Sequence, residues 1–147
     1  MQHFKEISMI KKFFSSHPLW ENGLTFIRLV VGIMLIRHGI EVFEPSLMND
    51  YGKRLSELHL PSPLFMAYIG KSMELIGGIS VLLGFLTRLI IIPVVVTFLF
   101  ITFGMGGGRI LMEDQHPFLF VLLLLVIFFA GPGRLSLDYI FFDRRRL

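Results

Sequence analysis

A chain of 147 residues that is 54% hydrophobic and 17% charged, with a mean hydropathy of +0.71, has too few polar side chains to cover a soluble domain of its size, where about 25% charge is ordinary. The excess of apolar side chains points to a bilayer. The absence of cysteine excludes disulfides, thiolate metal sites and redox chemistry on the chain's own thiols, and the net charge of +3 argues for no nucleic-acid site, because most basic residues flank apolar runs.

The first element is amphipathic. Phe4, Ile7, Ile10, Phe13 and Phe14 alternate with Lys5, Lys11 and Lys12, which predicts a helix lying on the membrane surface within a segment 1–22. An apolar run over 24–43 follows, about 20 residues and long enough to cross a hydrocarbon core of about 30 Å, although Arg28, Arg37, His38 and Glu41 lie inside it. After a polar connection from Glu44 to Ser62, a second span covers 63–86, interrupted only by Lys71 and Glu74. A short turn at Thr87-Arg88 leads into a third span over 89–103, where Pro93 predicts a kink. The glycine run from Gly104 breaks it. It lacks the Gly-Lys-Ser/Thr ending of a phosphate loop. The fourth span, 113–131, reaches adequate length only if it starts before Pro117, which a proline in the first turn permits.

These elements predict an all-α polytopic membrane protein, an antiparallel bundle of four transmembrane helices over 23–138, with an N-terminal interfacial helix and a basic cytoplasmic tail over 139–147. Outside the spans, eight Lys and Arg fall on the side of the termini and three on the other. The bias places both termini in the cytoplasm of a bacterial inner membrane.

With orientation set, the interior polar residues fall at one depth: His38 and Glu41 at the outward end of the first span, Lys71 and Glu74 at the outward start of the second, and Glu113, Asp114 and His116 before the fourth. Arg28 is the exception, near the cytoplasmic end. At 100° per residue Arg37, His38 and Glu41 share a face, while Arg28, Gly32, Leu35 and Gly39 form a smoother one suited to close helix approach. Gly70, Gly77 and Gly84 repeat every seven residues and should turn Glu74 inward. Charges at membrane depth are paired or line a wet cavity, so Arg37, His38, Glu41, Lys71, Glu74 and His116 outline an outward pocket for a quinone head group, a proton or an anionic substrate. The bland alternative is that Arg37 with Glu41, and Lys71 with Glu74, merely neutralise one another near the headgroups. His38 and His116 alone are a weak signal for haem or metal, and no metal site is expected.

Three motifs then carry a resemblance: Arg28-x3-Gly32-x5-His38-Gly39, Glu74-Leu-Ile-Gly77-Gly78 followed by Gly84-Phe-Leu-Thr87-Arg88, and Gly131-Pro-Gly-Arg-Leu-Ser136-Leu-Asp138. In order and spacing they resemble the DoxX family of small four-helix bacterial membrane proteins, from Gly23 to Asp138. The resemblance implies a four-helix bundle and, for some members, a place as a membrane subunit of an oxidoreductase complex. Arg28, His38, Glu74 and Asp138 match the family's recurrent polar positions. One departure is Val42, where the pattern commonly has a Lys.

The resulting expectation is a membrane subunit of a quinone-linked redox complex. Glu74 and His38 would carry the chemistry, Arg37, Glu41, Lys71, His116 and Arg28 would bind, and the partners would be the lipid bilayer and either a soluble redox protein or a second copy of the chain. A non-catalytic scaffold and a small proton-coupled carrier are the alternatives.

Overall fold

The computed structural model describes residues 20–143, and these contain helices and no β-strand. The predicted interfacial helix and the Arg144-Arg145-Arg146 tail fall largely or wholly outside the described residues. Helix α1 spans Trp20–Gly39 and tightens into a 3-10 turn, Ile40–Phe43. Helix α2 spans Pro45–Glu57, α3 Pro63–Leu83, α4 Thr87–Leu99 and α5 Gln115–Ala130. Helix α4 continues through a π-helical segment, Phe100–Met105, and another π turn, Tyr139–Asp143, closes the described chain.

Helix α2 corrects the sequence reading, which takes 44–62 as a polar connection. Pro45 sits in its first turn, where a missing N–H costs nothing. Met48, Gly52 and Leu55 are buried at spacings of four and three, a one-sided stripe that packs α2 on α3. The other boundaries lie close to the sequence reading. Helix α3 ends earlier than 86, because Gly84 adopts the left-handed C-cap conformation at φ 66°. Helix α5 starts at Gln115, ahead of Pro117, and α4 runs through Pro93 without leaving the α-helix.

The four long helices pack in sequence, α1 on α3, α3 on α4 and α4 on α5, and α5 returns to α1. Their shared core holds Leu35, Val81, Ile91, Val94, Phe120 and Leu124. Glycines set the closest approach. A Cβ at Gly32 would stand 2.8 Å from the Leu82 backbone, and one at Gly39 would overlap that of Leu75. Gly78 is pressed against Ile36, and Gly77 against Val94. Both glycine faces read from the sequence therefore carry helix contacts.

The outer surface is as apolar as the core. Phe26 is 68% exposed and Phe129 75%, with Ile33, Ile92 and Val96 also outward. A soluble protein rarely exposes so contiguous an apolar surface. Helix α3, and α4 with its extension to Met105, are each long and apolar enough to cross a membrane by length and composition. Helix α5 is as apolar but shorter, at 16 residues.

Candidate functional site

The polar site is assembled by helix ends. Lys71, in the third turn of α3, points its ammonium between two acids, 2.9 Å from Glu41 and 2.9 Å from Glu74. Glu74 lies one turn further along and is only 3% exposed. Glu41 also accepts a hydrogen bond from the Tyr51 hydroxyl at 2.8 Å. The Tyr51 ring stands 4.9 Å from the Lys71 ammonium, within cation–π range. Burial first, and then the bond to Glu41, hold the Tyr51 hydroxyl above the usual phenol pKa, against an opposing pull from Lys71. One cation thus ties together α1, α2 and α3.

The two histidines meet on the other wall. Their ring centroids are 5.3 Å apart, and the Phe120 ring packs edge-on against both at 5.8 and 5.2 Å. Next to them Asp114 is buried and accepts the backbone N–H of Arg109 at 2.8 Å, while Gly106 packs directly on its carboxyl group. The glycine run therefore serves a tight return loop into α5. Arg109 itself pairs with Glu113 at 2.7 Å on the surface.

Between these walls lies a cleft of about 830 Å³. His38, Tyr51, Lys71, Glu74 and His116 line it together with apolar Ala67, Val96, Phe98 and Ile101. His38, Lys71, Glu74 and His116 thus converge as the sequence reading places them. Among the described residues no group of three or more His, Asp or Glu side chains is arranged to hold a metal ion.

Two expected members stand elsewhere. Arg37 is exposed, and Glu41 pairs with Lys71 and Tyr51 instead of with it. The cause is local winding: after Gly39 the chain turns about 120° per residue in place of 100°, which swings Glu41 away from Arg37. Arg28 lies ten residues before His38 along α1, about 15 Å by helical rise, and is 3% exposed. Its guanidinium donates to the carbonyl oxygens of Pro132 and Leu135, the latter at 2.6 Å. It belongs to a clasp at the opposite end of the molecule. There Asp138 accepts the N–H groups of Leu86 and Thr87 at 2.7 and 3.0 Å, and its own N–H donates to Gly84 at 2.8 Å. These contacts hold Leu86 in its left-handed conformation at φ 48°.

Tyr51 was missed from the sequence because its helix was missed. The signal was the spacing of Met48, Gly52 and Leu55 behind Pro45.

The family described as DoxX matches residues 23–107. The chain belongs to the DoxX family. With its apolar helices and outer surface, it is a membrane protein of that family. A Bacillus subtilis protein named as a putative oxidoreductase, CatD, is 30% identical over 135 residues, covering 86% of this chain and 92% of its own length. A Mycobacterium tuberculosis protein named as an uncharacterized membrane protein is 29% identical over 126 residues, covering 76% of this chain and 77% of its own. No solved structure matches this DoxX protein.

Proposed function

We propose that this DoxX protein crosses the bacterial inner membrane four times with both termini in the cytoplasm, and serves as the membrane subunit of an oxidoreductase complex that handles a quinone-type ligand in the outward cleft. The observation that carries the reading is the cleft itself. Its volume of about 830 Å³ lies in the range of small-molecule sites, about 300 to 1,000 Å³. It sets a few acid, base and cationic groups against an apolar wall, as an amphipathic ring compound requires. The name given to the Bacillus subtilis relative supports the class of activity. The excess of Lys and Arg on the side of the termini supports the orientation.

In this reading Glu74 exchanges a proton with a ring oxygen, His38 hydrogen-bonds a carbonyl, and Lys71 stabilises developing negative charge on oxygen. Glu41 and Tyr51 hold Lys71 in place, the His116 ring packs against His38, and Arg28 and Arg37 take no part. Electrons would reach the ligand from a soluble redox partner, since the chain has no cysteine of its own.

The test is binding of a short-chain benzoquinone or naphthoquinone to the purified chain, followed by quenching of its Trp and Tyr emission. Saturable binding that weakens by about tenfold or more in Glu74→Gln and in His38→Ala, as expected for a lost charged or buried hydrogen bond, supports the site. Absence of binding, or binding by both variants as tight as that of the wild-type chain, removes it.

The contact pattern also favours a second reading, a non-catalytic scaffold. Lys71 and Glu41 fix the register of α1 against α3, and the glycine faces hold the helices closely. Co-purification with a soluble partner that survives Glu74→Gln and His38→Ala would select it.

A further inference from the structure

A second cleft, of about 740 Å³, opens at the end opposite the quinone-type site, between the α3–α4 turn and the segment following α5. Its walls are of two kinds. Leu24, Leu86, Leu89 and Phe142 supply apolar surface, and Arg88 and Arg134 supply positive charge. Asp138 also lines it, but both of its oxygens already accept backbone N–H groups from Leu86 and Thr87. The Arg88 Nε donates to the Phe128 carbonyl at 3.1 Å, which fixes its guanidinium over the C-terminal end of α5. Gly131 keeps the backbone low beside it, where a Cβ would come within 3.4 Å of that guanidinium.

We propose that this cleft binds an anionic phospholipid of the surrounding leaflet, with Arg88 and Arg134 holding the phosphate and an acyl chain lying along Leu24, Leu89 and Phe142. Two features select a lipid over a soluble anion. The arginines lie at a helix end, where headgroups meet the protein, and basic pockets between membrane helices take anionic headgroups. The apolar wall continues onto the outer surface, since Leu89 is 63% exposed and Phe142 58%. A free phosphate would use the arginines and leave the apolar wall without a role.

The experiment is native mass spectrometry of the purified full chain, released from detergent after incubation with phosphatidylglycerol or phosphatidylcholine. Phosphatidylglycerol is expected to be retained over phosphatidylcholine. Arg88→Gln and Arg134→Gln should each lower that retention about fivefold, the factor for about 1 kcal/mol per basic side chain near an anionic surface. Lys53→Gln, which removes an exposed charge paired with Asp50 elsewhere, should leave it unchanged. Leu89→Gln keeps both arginines and is expected to weaken retention of the lipid. Equal retention of the two lipids overturns the proposal, as do arginine variants that behave like Lys53→Gln. Inorganic phosphate that displaces the lipid at millimolar concentration, with no effect of Leu89→Gln, would assign the cleft to a free anion and also overturn it.

Discussion

The Lys71 ammonium stands 2.9 Å from a carboxylate oxygen of Glu74, one turn away on the same helix, with little water reaching either side chain. The two charges depend on each other. Removing one member of a buried pair leaves the other uncompensated, at a cost of about 3 to 5 kcal/mol, whereas replacing both by neutral side chains of similar size is often nearly neutral. Lys71→Met alone should therefore lower the thermal unfolding midpoint in detergent sharply, and the double variant Lys71→Met with Glu74→Gln should recover much of the loss. Equal losses in the single and double variants would show that the pair is not coupled.

The Arg28 clasp predicts a second loss of stability, independent of the first. Arg28→Met would remove the donor from the partly buried carbonyl groups of Pro132 and Leu135, at about 1 kcal/mol for each hydrogen bond lost. Arg28→Lys should rescue little, because a single ammonium cannot reproduce the planar fork that reaches both oxygens. Asp138→Ala, which removes the acceptor of the Leu86 and Thr87 N–H groups, should cost about 0.5 to 2 kcal/mol, as for other losses at a helix N-terminus. The measurement is again the unfolding midpoint, with proteolysis after Leu135 reporting whether the C-terminal segment has come away.

Much of this arrangement was legible in the sequence because bilayer physics leaves a simple record. Apolar runs between Pro, Gly and charged turns located the long helices, and the seven-residue glycine repeat turned Glu74 inward. What escaped depended on details that periodicity does not encode. Glu41 follows Gly39 on an α-helical wheel into the reach of Arg37, but the switch to 3-10 winding after Gly39 redirects it to Lys71. Helix α2 reads as a connection by its polarity, and Tyr51 went with it. Arg28 looked like a charge in need of a ligand, whereas its partners are carbonyl groups more than a hundred residues away in sequence.

Glycine substitutions separate packing from propensity. At Gly78 a Cβ would lie 2.6 Å from the Ile36 backbone nitrogen, so Gly78→Ala must push α1 and α3 apart and should destabilise by about 1 to 3 kcal/mol, as for an overpacked core. At Gly23, also helical, a Cβ meets nothing within 4 Å. Gly23→Ala should instead stabilise by up to about 1 kcal/mol through helix propensity alone. Opposite shifts of the unfolding midpoint are expected, and a loss of stability at Gly23 would contradict the helical geometry of that turn.

Tyr51→Phe tests the α2 contribution to the site. The substitution keeps the ring against Lys71 and removes only the hydrogen bond to Glu41, which should cost about 1 kcal/mol near neutral pH. The sign of the pH dependence follows from the raised Tyr51 pKa. In the folded chain the hydroxyl keeps its proton at a pH where the unfolded chain has lost it, so stability is fully present below about pH 10 and falls as pH rises from there through the folded value. The advantage of wild type over Tyr51→Phe should be constant from neutrality to about pH 9 and shrink above it. Unfolding midpoints measured on both proteins across that range decide it, and an advantage that grows with alkalinity would mean that the hydroxyl is not the donor to Glu41.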